Sequence, residues 1–210
     1  MTERGRFVTI EGGEGVGKST NLEFLRALIE RRGFKVLTTR EPGGTPGAER
    51  IRDLLLEHGD EVMPDIAELL LFFAARALQV ENVIRPALAR GTWVVCDRFT
   101  DTTRAYQGSA RGLDRDLIER LAEQVHPGIE PDLTLLLDAP ADVGQGRARQ
   151  RGGADRLEAE RAAFHQRVRD AYLAQARQEP QRIELIDATQ PLARVQAEIE
   201  RAVERLWQQD

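Results

Sequence analysis

The sequence predicts an α/β fold, a five-stranded parallel sheet with helices on both faces. Three observations predict it. Five short apolar runs alternate along the 210 residues with longer stretches of helical periodicity. The runs are apolar nearly throughout, as strands buried on both faces are. Gly33 and Gly91 each close a helix-like stretch just ahead of a run, where glycine caps a helix C-terminus.

In chain order, the first strand is expected over residues 7–10, Phe7-Val8-Thr9-Ile10. A helix over 19–32 follows, its Leu22, Leu25, Leu28 and Ile29 on one face. A strand over 35–39 comes after Gly33, then a helix over 47–58. The helix over 65–90 contains Leu69-Leu70-Leu71-Phe72-Phe73, apolar nearly all round, so burial on several sides is expected. Gly91 ends it before a strand over 92–97, with Trp93-Val94-Val95-Cys96 at its centre. A helix over 114–125, strands over 133–138 and 182–187 and a helix over 157–178 complete the alternation. Pro191 opens a last helix over 191–207, where its missing N–H costs nothing. No repeat, linker or low-complexity segment divides the chain, so residues 1–210 read as one domain.

Between the first strand and the first helix stands Gly12-Gly13-Glu14-Gly15-Val16-Gly17-Lys18-Ser19, the P-loop pattern G-x-x-x-x-G-K-[ST]. This chain's Gly, Lys, Ser and Thr content would produce that pattern by chance in about one chain in a thousand. Only Lys18 and Lys35 are lysines, and one stands where the loop needs it. Glycines let backbone N–H groups turn inward on phosphate oxygens, and the helix N-terminus adds positive partial charge. ATP is therefore expected on Gly12, Gly13, Glu14, Gly15, Val16, Gly17, Lys18, Ser19 and Thr20. Lys18 is expected to reach the β- and γ-phosphates and Ser19 to hold Mg²⁺.

Bulk properties narrow the remainder. A net charge of −5 disfavours a nucleic-acid backbone binder, so no nucleic-acid partner is expected. No apolar run is long enough to span a membrane, and a strand begins within a few residues of Met1. The single cysteine, Cys96, reads as a buried small hydrophobe rather than part of a disulfide framework. A cytoplasmic location is expected. His58, His126 and His165 are scattered, which argues against a zinc site.

Ligands of parallel α/β sheets bind beyond the strand carboxyl ends. Those ends carry Glu11 with the loop, Arg40-Glu41-Pro42-Gly43-Gly44, Asp97-Arg98, Asp138 and Asp187-Ala188-Thr189-Gln190-Pro191. The chain lacks N-K-x-D, an apolar strand ending Asp-Glu, and a two-lysine loop, which disfavours GTPases and water-activating ATPases. Arg147, Arg149, Arg151 and Arg156 surround Gly152-Gly153, as in a mobile basic flap near 147–157. Such arginines would neutralise two polyanions brought together for phosphoryl transfer. A phosphate acceptor is already nucleophilic at pH 7 and needs no general base. The pattern points to a nucleoside monophosphate kinase. A nucleoside kinase, which must deprotonate a hydroxyl, and a non-catalytic nucleotide sensor are the rival readings.

Several motifs together resemble the thymidylate kinase (dTMP kinase) family nearly end to end. They are Glu11-Gly12-x-Glu14-Gly15-x-Gly17-Lys18-Ser19, Thr39-Arg40-Glu41-Pro42-Gly43-Gly44-Thr45, Phe73-Ala74-Ala75-Arg76, Asp97-Arg98, Ala105-Tyr106-Gln107-Gly108, Pro131-Asp132-Leu133-Thr134 and Asp187-Ala188-Thr189-Gln190-Pro191-Leu192. The P-loop is widely shared; the Arg-Glu-Pro-Gly-Gly and Ala-Tyr-Gln-Gly stretches are far more specific.

The resemblance implies a P-loop nucleoside monophosphate kinase fold and ATP-dependent conversion of dTMP to dTDP, with Mg²⁺, in a homodimer. It implies that Glu14 accepts from the dTMP 3′-hydroxyl, Phe72 stacks on thymine, and Arg76 bonds thymine O4. Thr103 and Gln107 would read the other base edge, and Tyr106 would pack near the sugar. Arg98 and Arg40 would bind the dTMP phosphate, with Arg52 a further candidate. The P-loop carries no arginine at its variable positions, which in this family goes with catalytic arginines on the flap. Arg149, Arg151 and Arg156 are the candidates, the last two ahead, beside Lys18 and Arg98. Asp97 either holds Mg²⁺ through water or orients Arg98. The dimer interface is expected on the helices over 47–58 and 65–90.

Overall fold

The computed structural model describes residues 4–57, 61–151, 156–158 and 160–207, apart from the side chains at 145 and 148–151. Five strands, β1 (Phe7–Glu11), β2 (Val36–Arg40), β3 (Trp93–Asp97), β4 (Leu133–Asp138) and β5 (Ile183–Asp187), form one sheet in the order β2-β3-β1-β4-β5. Every pairing is parallel, with Ile10 opposite Asp97 on one side and Leu135 on the other. β1 lies at the centre, so the loop that follows it emerges mid-edge, where the chain turns to either side.

Alternate strand residues face opposite layers. Val8, Ile10, Val95, Leu135 and Leu137 pack under α1 (Lys18–Arg31) and α9 (Leu192–Trp207), through Leu25, Leu28, Ile29, Ile199 and Val203. Phe7, Val94 and Cys96 face the other way, against Val80, Ile84, Leu88 and Phe99. Leu136 and Ile183 on that face meet Phe164, Val168 and Tyr172 of α8 (Ala162–Gln178). These residues are nearly all without solvent exposure, which is why the strands read as continuous apolar runs.

The structure corrects several helix boundaries. The helix expected over 47–58 is α2 (Pro46–Leu56), capped by the Thr45 hydroxyl accepting from the Ala48 N–H; residue 58 lies outside the described residues. The stretch 65–90 divides into α3 (Asp65–Gln79), a π-helical turn (Val80–Ile84) and α4 (Arg85–Ala89). Pro86 offers no N–H to the preceding turn, and a widened turn absorbs that loss. Nor is α3 buried all round: Ile66, Leu70, Ala74 and Leu78, four residues apart, form an exposed stripe.

Two helices lack a sequence signal. α5 (Thr100–Thr103) runs into a π-helical segment (Arg104–Ala110) from a start of β-branched and acidic residues, which are poor helix formers. α7 (Ala141–Arg151) carries two glycines and almost no apolar stripe. α6 (Arg115–Val125) matches expectation, and α8 begins at Ala162 rather than 157, since Leu157 and Glu158 lie in a turn. Gly33 and Gly91 take positive φ of 87° and 73° and close their helices as C-caps.

Candidate active site

A cleft of about 560 Å³ opens over the carboxyl edge of β1, β2 and β3. Its floor is the P-loop. Gly12 has φ 135°, and a Cβ there would lie 2.3 Å from the Leu137 carbonyl oxygen, so only glycine lets the loop leave β1 this close to β4. α1 starts at Lys18 with no side-chain cap, leaving its first N–H groups directed at the cleft. Lys18 Nζ donates to the Gly12 and Gly13 carbonyls, at 3.1 and 2.6 Å. Burial lowers its pKa and Arg98 pushes the same way, while Glu14, Asp97 and Glu11 raise it.

Glu14, Gly15, Gly17, Lys18, Ser19 and Thr20 line this cleft. Gly12, Gly13 and Val16 line a smaller cavity beneath, against β4 and α7. There Gly144 is the residue that sequence reasoning missed. A Cβ on it would stand 2.3 Å from the Glu14 carbonyl oxygen, so α7 rests on the P-loop only because that position is glycine. Its signal was a glycine inside a helix, easily read as helix-breaking composition.

Arg98 is the one non-glycine residue with positive φ, 72°, among the described residues. Its guanidinium pairs with Glu14 and donates to the Gly12 carbonyl, Thr102, Tyr172 and Tyr106. Tyr106 also donates to Glu14, at 3.1 Å. Burial works against ionising Glu14, yet the neighbouring Arg98 and Lys18 charges bring its pKa down to about 2. Arg40 and Arg52 stand on the far rim. Arg40 is half exposed and pairs with Glu49 at 2.9 Å, while Arg52 donates to the Pro42 carbonyl. Asp97 and Ser19 share the cleft wall, and Asp97 Oδ1 is buried without a hydrogen-bond partner.

The base-side residues are arranged differently. Phe72 lines the cleft, one helical turn before Arg76. Arg76, Thr103 and Gln107 sit behind that wall, each almost wholly buried. Arg76 lies between the rings of Phe73 and Phe99, pairs with Glu41 at 2.7 Å and donates to Thr103 at 2.9 Å. Its Nη1 has no partner. Gln107 donates to Glu68 at 2.8 Å, and its Oε1 likewise has no partner. Glu41 and Glu68 thus hold Arg76 and Gln107; the sequence places Glu41 at a strand end without its partner, and an acidic residue amid the apolar run of α3 was the available signal for Glu68.

Toward the flap, Arg147 lines the cleft and donates to the Ala188 carbonyl. Leu157 and Glu158 also line it, as do Glu41, Pro42, Leu56 and Thr102. Arg156 does not; it pairs with Glu68 at 2.6 Å and donates to the Leu55 carbonyl. The Arg149 and Arg151 side chains, and residues 152–155 of the expected flap, lie outside what is described.

One cleft therefore joins a P-loop, a set of arginines on its opposite rim, and an aromatic wall. That arrangement brings two phosphate-bearing groups together. Comparison with known proteins agrees. The family model described as thymidylate kinase matches residues 10–199. The chain is 56% identical over 202 residues to the thymidylate kinase of Methylococcus capsulatus, covering 96% of each chain. It is 57% identical over 197 residues to that of Chromohalobacter salexigens, covering 93% of each. The crystal structure of thymidylate kinase from Ehrlichia chaffeensis superposes with a TM-score of 0.77 at 32% identity, over 96% of this chain and 99% of that one. With P-loop, arginine rim and sheet order all in place, the chain belongs to the thymidylate kinase family.

Proposed function

We propose that this protein transfers the γ-phosphoryl group of ATP to dTMP, yielding ADP and dTDP for DNA precursor synthesis. The observation that carries this is the cleft itself: Lys18, the α1 N-terminus and Arg98 gather at the P-loop, with Arg40 and Arg52 on the far rim of the same space. Two polyanions repel, and positive charge placed on both sides of the transferring group offsets that repulsion. The acceptor phosphate attacks as an oxyanion, so positioning and charge supply the catalysis.

Arg98 exchanges Glu14 for the dTMP phosphate, and Arg40 exchanges Glu49. Glu14, released from Arg98, accepts from the 3′-hydroxyl, with Tyr106 beside the sugar. Phe72 supplies the stacking surface. Thymine offers an acceptor at O4 and a donor at N3; Arg76 Nη1 and Gln107 Oε1 are an unfilled donor and an unfilled acceptor of matching kind. Thr103 holds the Arg76 fork. Ser19 and Asp97 would hold Mg²⁺, and the unpartnered Asp97 Oδ1 suits that role. When bound, the ion neutralises charge on the β- and γ-phosphate oxygens. Arg98 sends its bonds elsewhere than Asp97, which favours the metal role over the orienting one.

Residues 147–157 act on this reading as a flap of the single domain, with Arg149, Arg151 and, once it leaves Glu68, Arg156 the source of charge at the transferring phosphoryl. The protein works as a cytoplasmic homodimer. The exposed stripe Ile66, Leu70, Ala74 and Leu78 of α3, beside the half-exposed Leu54 of α2, supports that interface. No helix among the described residues is long and apolar enough to cross a membrane. The test incubates the protein with ATP, Mg²⁺ and dTMP and separates the nucleotides. Equimolar ADP and dTDP are expected. ADP formed without dTDP would contradict the reading.

A further inference from the structure

Glu11 ends β1 with no solvent exposure, and neither phosphate binding nor base recognition gives it a task. A carboxylate this deep needs donors on both oxygens. Its Oε1 accepts from the Phe99 N–H at 2.7 Å. Its Oε2 accepts from the Thr102 hydroxyl at 2.6 Å and the Tyr172 hydroxyl at 2.9 Å. All three donors surround Arg98. Phe99 follows it in the chain, while Thr102 Oγ1 and Tyr172 Oη stand 3.3 and 3.4 Å from its Nη1.

We propose that Glu11 is a positioning residue for Arg98, fixing both its backbone and the polarity of the hydroxyls that cradle its guanidinium. The inference rests on the reading that Arg98 grips the dTMP phosphate. Two physical reasons support it. First, a non-glycine residue with φ of 72° persists only where its neighbours over-determine it, and the Phe99 N–H held by Glu11 is the constraint directly downstream. Second, burial and the nearby Asp101 push the Glu11 pKa up to about 7, and in its ionised form the carboxylate only accepts. The Thr102 and Tyr172 hydroxyls, also 2.7 Å from each other, therefore spend their hydrogens on Glu11 or on the contact that leads to it, and their lone pairs are left for Arg98, a cation that only donates. One acidic residue on β1 thus sets the orientation of groups from α5 and α8 around an arginine at the end of β3.

Glu11→Gln tests this. A glutamine has nearly the same shape, but its amide nitrogen donates where Oε2 accepted. At least one hydroxyl must then turn, presenting its hydrogen toward Arg98. The dTMP dissociation constant is expected to rise about tenfold or more, with ATP affinity changed less than about twofold. A packing role would weaken both nucleotides together or lower the melting temperature alone, and either result would overturn the proposal. The second measurement is a double-mutant cycle with Arg98→Ala. Glu11→Gln should add nothing to dTMP binding once the arginine is gone. If Arg98→Ala weakens dTMP and Glu11→Gln weakens it further by its full factor, the positioning role is wrong while the Arg98 reading stands. If Arg98→Ala leaves dTMP affinity unchanged, the Arg98 reading fails and takes this one with it. Should Glu11→Gln not fold, Tyr172→Phe decides. It removes one of the oriented hydroxyls, and a smaller rise for dTMP alone is expected; no rise would refute the polarity argument.

Discussion

The phosphate edge and the base wall of this cleft use the same residue types in opposite ways. At the phosphate edge, arginines sit at the surface or against exchangeable acids: Arg40 with Glu49, half exposed, and Arg98 with Glu14 on the cleft wall. At the base wall, the Arg76–Glu41 pair is 1% and 4% exposed, enclosed by Phe73 and Phe99. On the proposed reading, phosphate is gripped by charge that trades one anion for another. A base edge is read by groups that cannot relax, because a mismatched partner then leaves buried polar atoms unpaired. On that reading the difference teaches that grip and selectivity are placed on separate elements, the P-loop with the strand ends against α3 with α5 and the π-helical segment that follows it.

The largest expected effect is at the phosphate edge. Lys18→Ala should abolish transfer, a loss on the order of a thousandfold or more, while the melting temperature stays near that of the wild type. Near-normal kcat in the mutant would remove the P-loop from the mechanism. On the base wall the order reverses. Glu41→Ala leaves a buried guanidinium with neither counter-charge nor acceptor, which should cost about 3–5 kcal/mol of stability in chemical denaturation. A change under about 1 kcal/mol would show that the wall is no more rigid than the rim.

A third prediction contrasts the two regions by pH. Glu14, brought down to about 2 by Arg98 and Lys18 against its burial, contributes stability that is fully present above its ordinary value of 4.5. That contribution is lost as pH falls through about 2, and at about 1.4 kcal/mol per unit it amounts to a few kcal/mol. Glu41 is raised by burial, against Arg76, so its contribution runs the other way and declines as pH rises above the ordinary value. In urea unfolding, the stability gap between wild type and Glu14→Gln should shrink below about pH 4.5. A gap independent of pH would separate Glu14 from the arginine. The smallest effect is expected at the rim. Glu49→Gln loses an exposed pair and should change stability by less than about 1 kcal/mol, despite the same nominal salt bridge.

The two regions were also unequally legible in the sequence. The phosphate edge follows from local chemistry: glycines, one lysine and a helix start within eight residues, and charges placed just after apolar runs. Hence Lys18, Ser19, Asp97 and Arg98 were found without any tertiary information and do share a cleft. The base wall depends on which helices meet. Thr103 and Gln107 lie on a helical segment that its β-branched start conceals, and their partners Arg76 and Glu68 come from α3, 27 and 39 residues away. Glu41 reads as one more strand-end residue and Glu68 as an ordinary helix acid, and their buried partners show only in the packing. Gly144 is a third kind of case. Its value lies in the side chain it lacks, which shows only when α7 meets the P-loop. The register and order of the strands, and the break in the helix at Pro86, likewise depend on packing rather than on periodicity.

The account's central claim is that the base wall selects thymine while the phosphate edge accepts any monophosphate. The direct measurement is kcat/KM for dTMP and for dCMP, by coupled ADP release at fixed ATP. Cytosine presents an amino donor at position 4, where on the proposed reading Arg76 would also donate. That leaves buried donors unpaired at roughly 1–3 kcal/mol or more, so dTMP should be favoured about ten- to a hundredfold or beyond. Equal kcat/KM for the two nucleotides would contradict the claim.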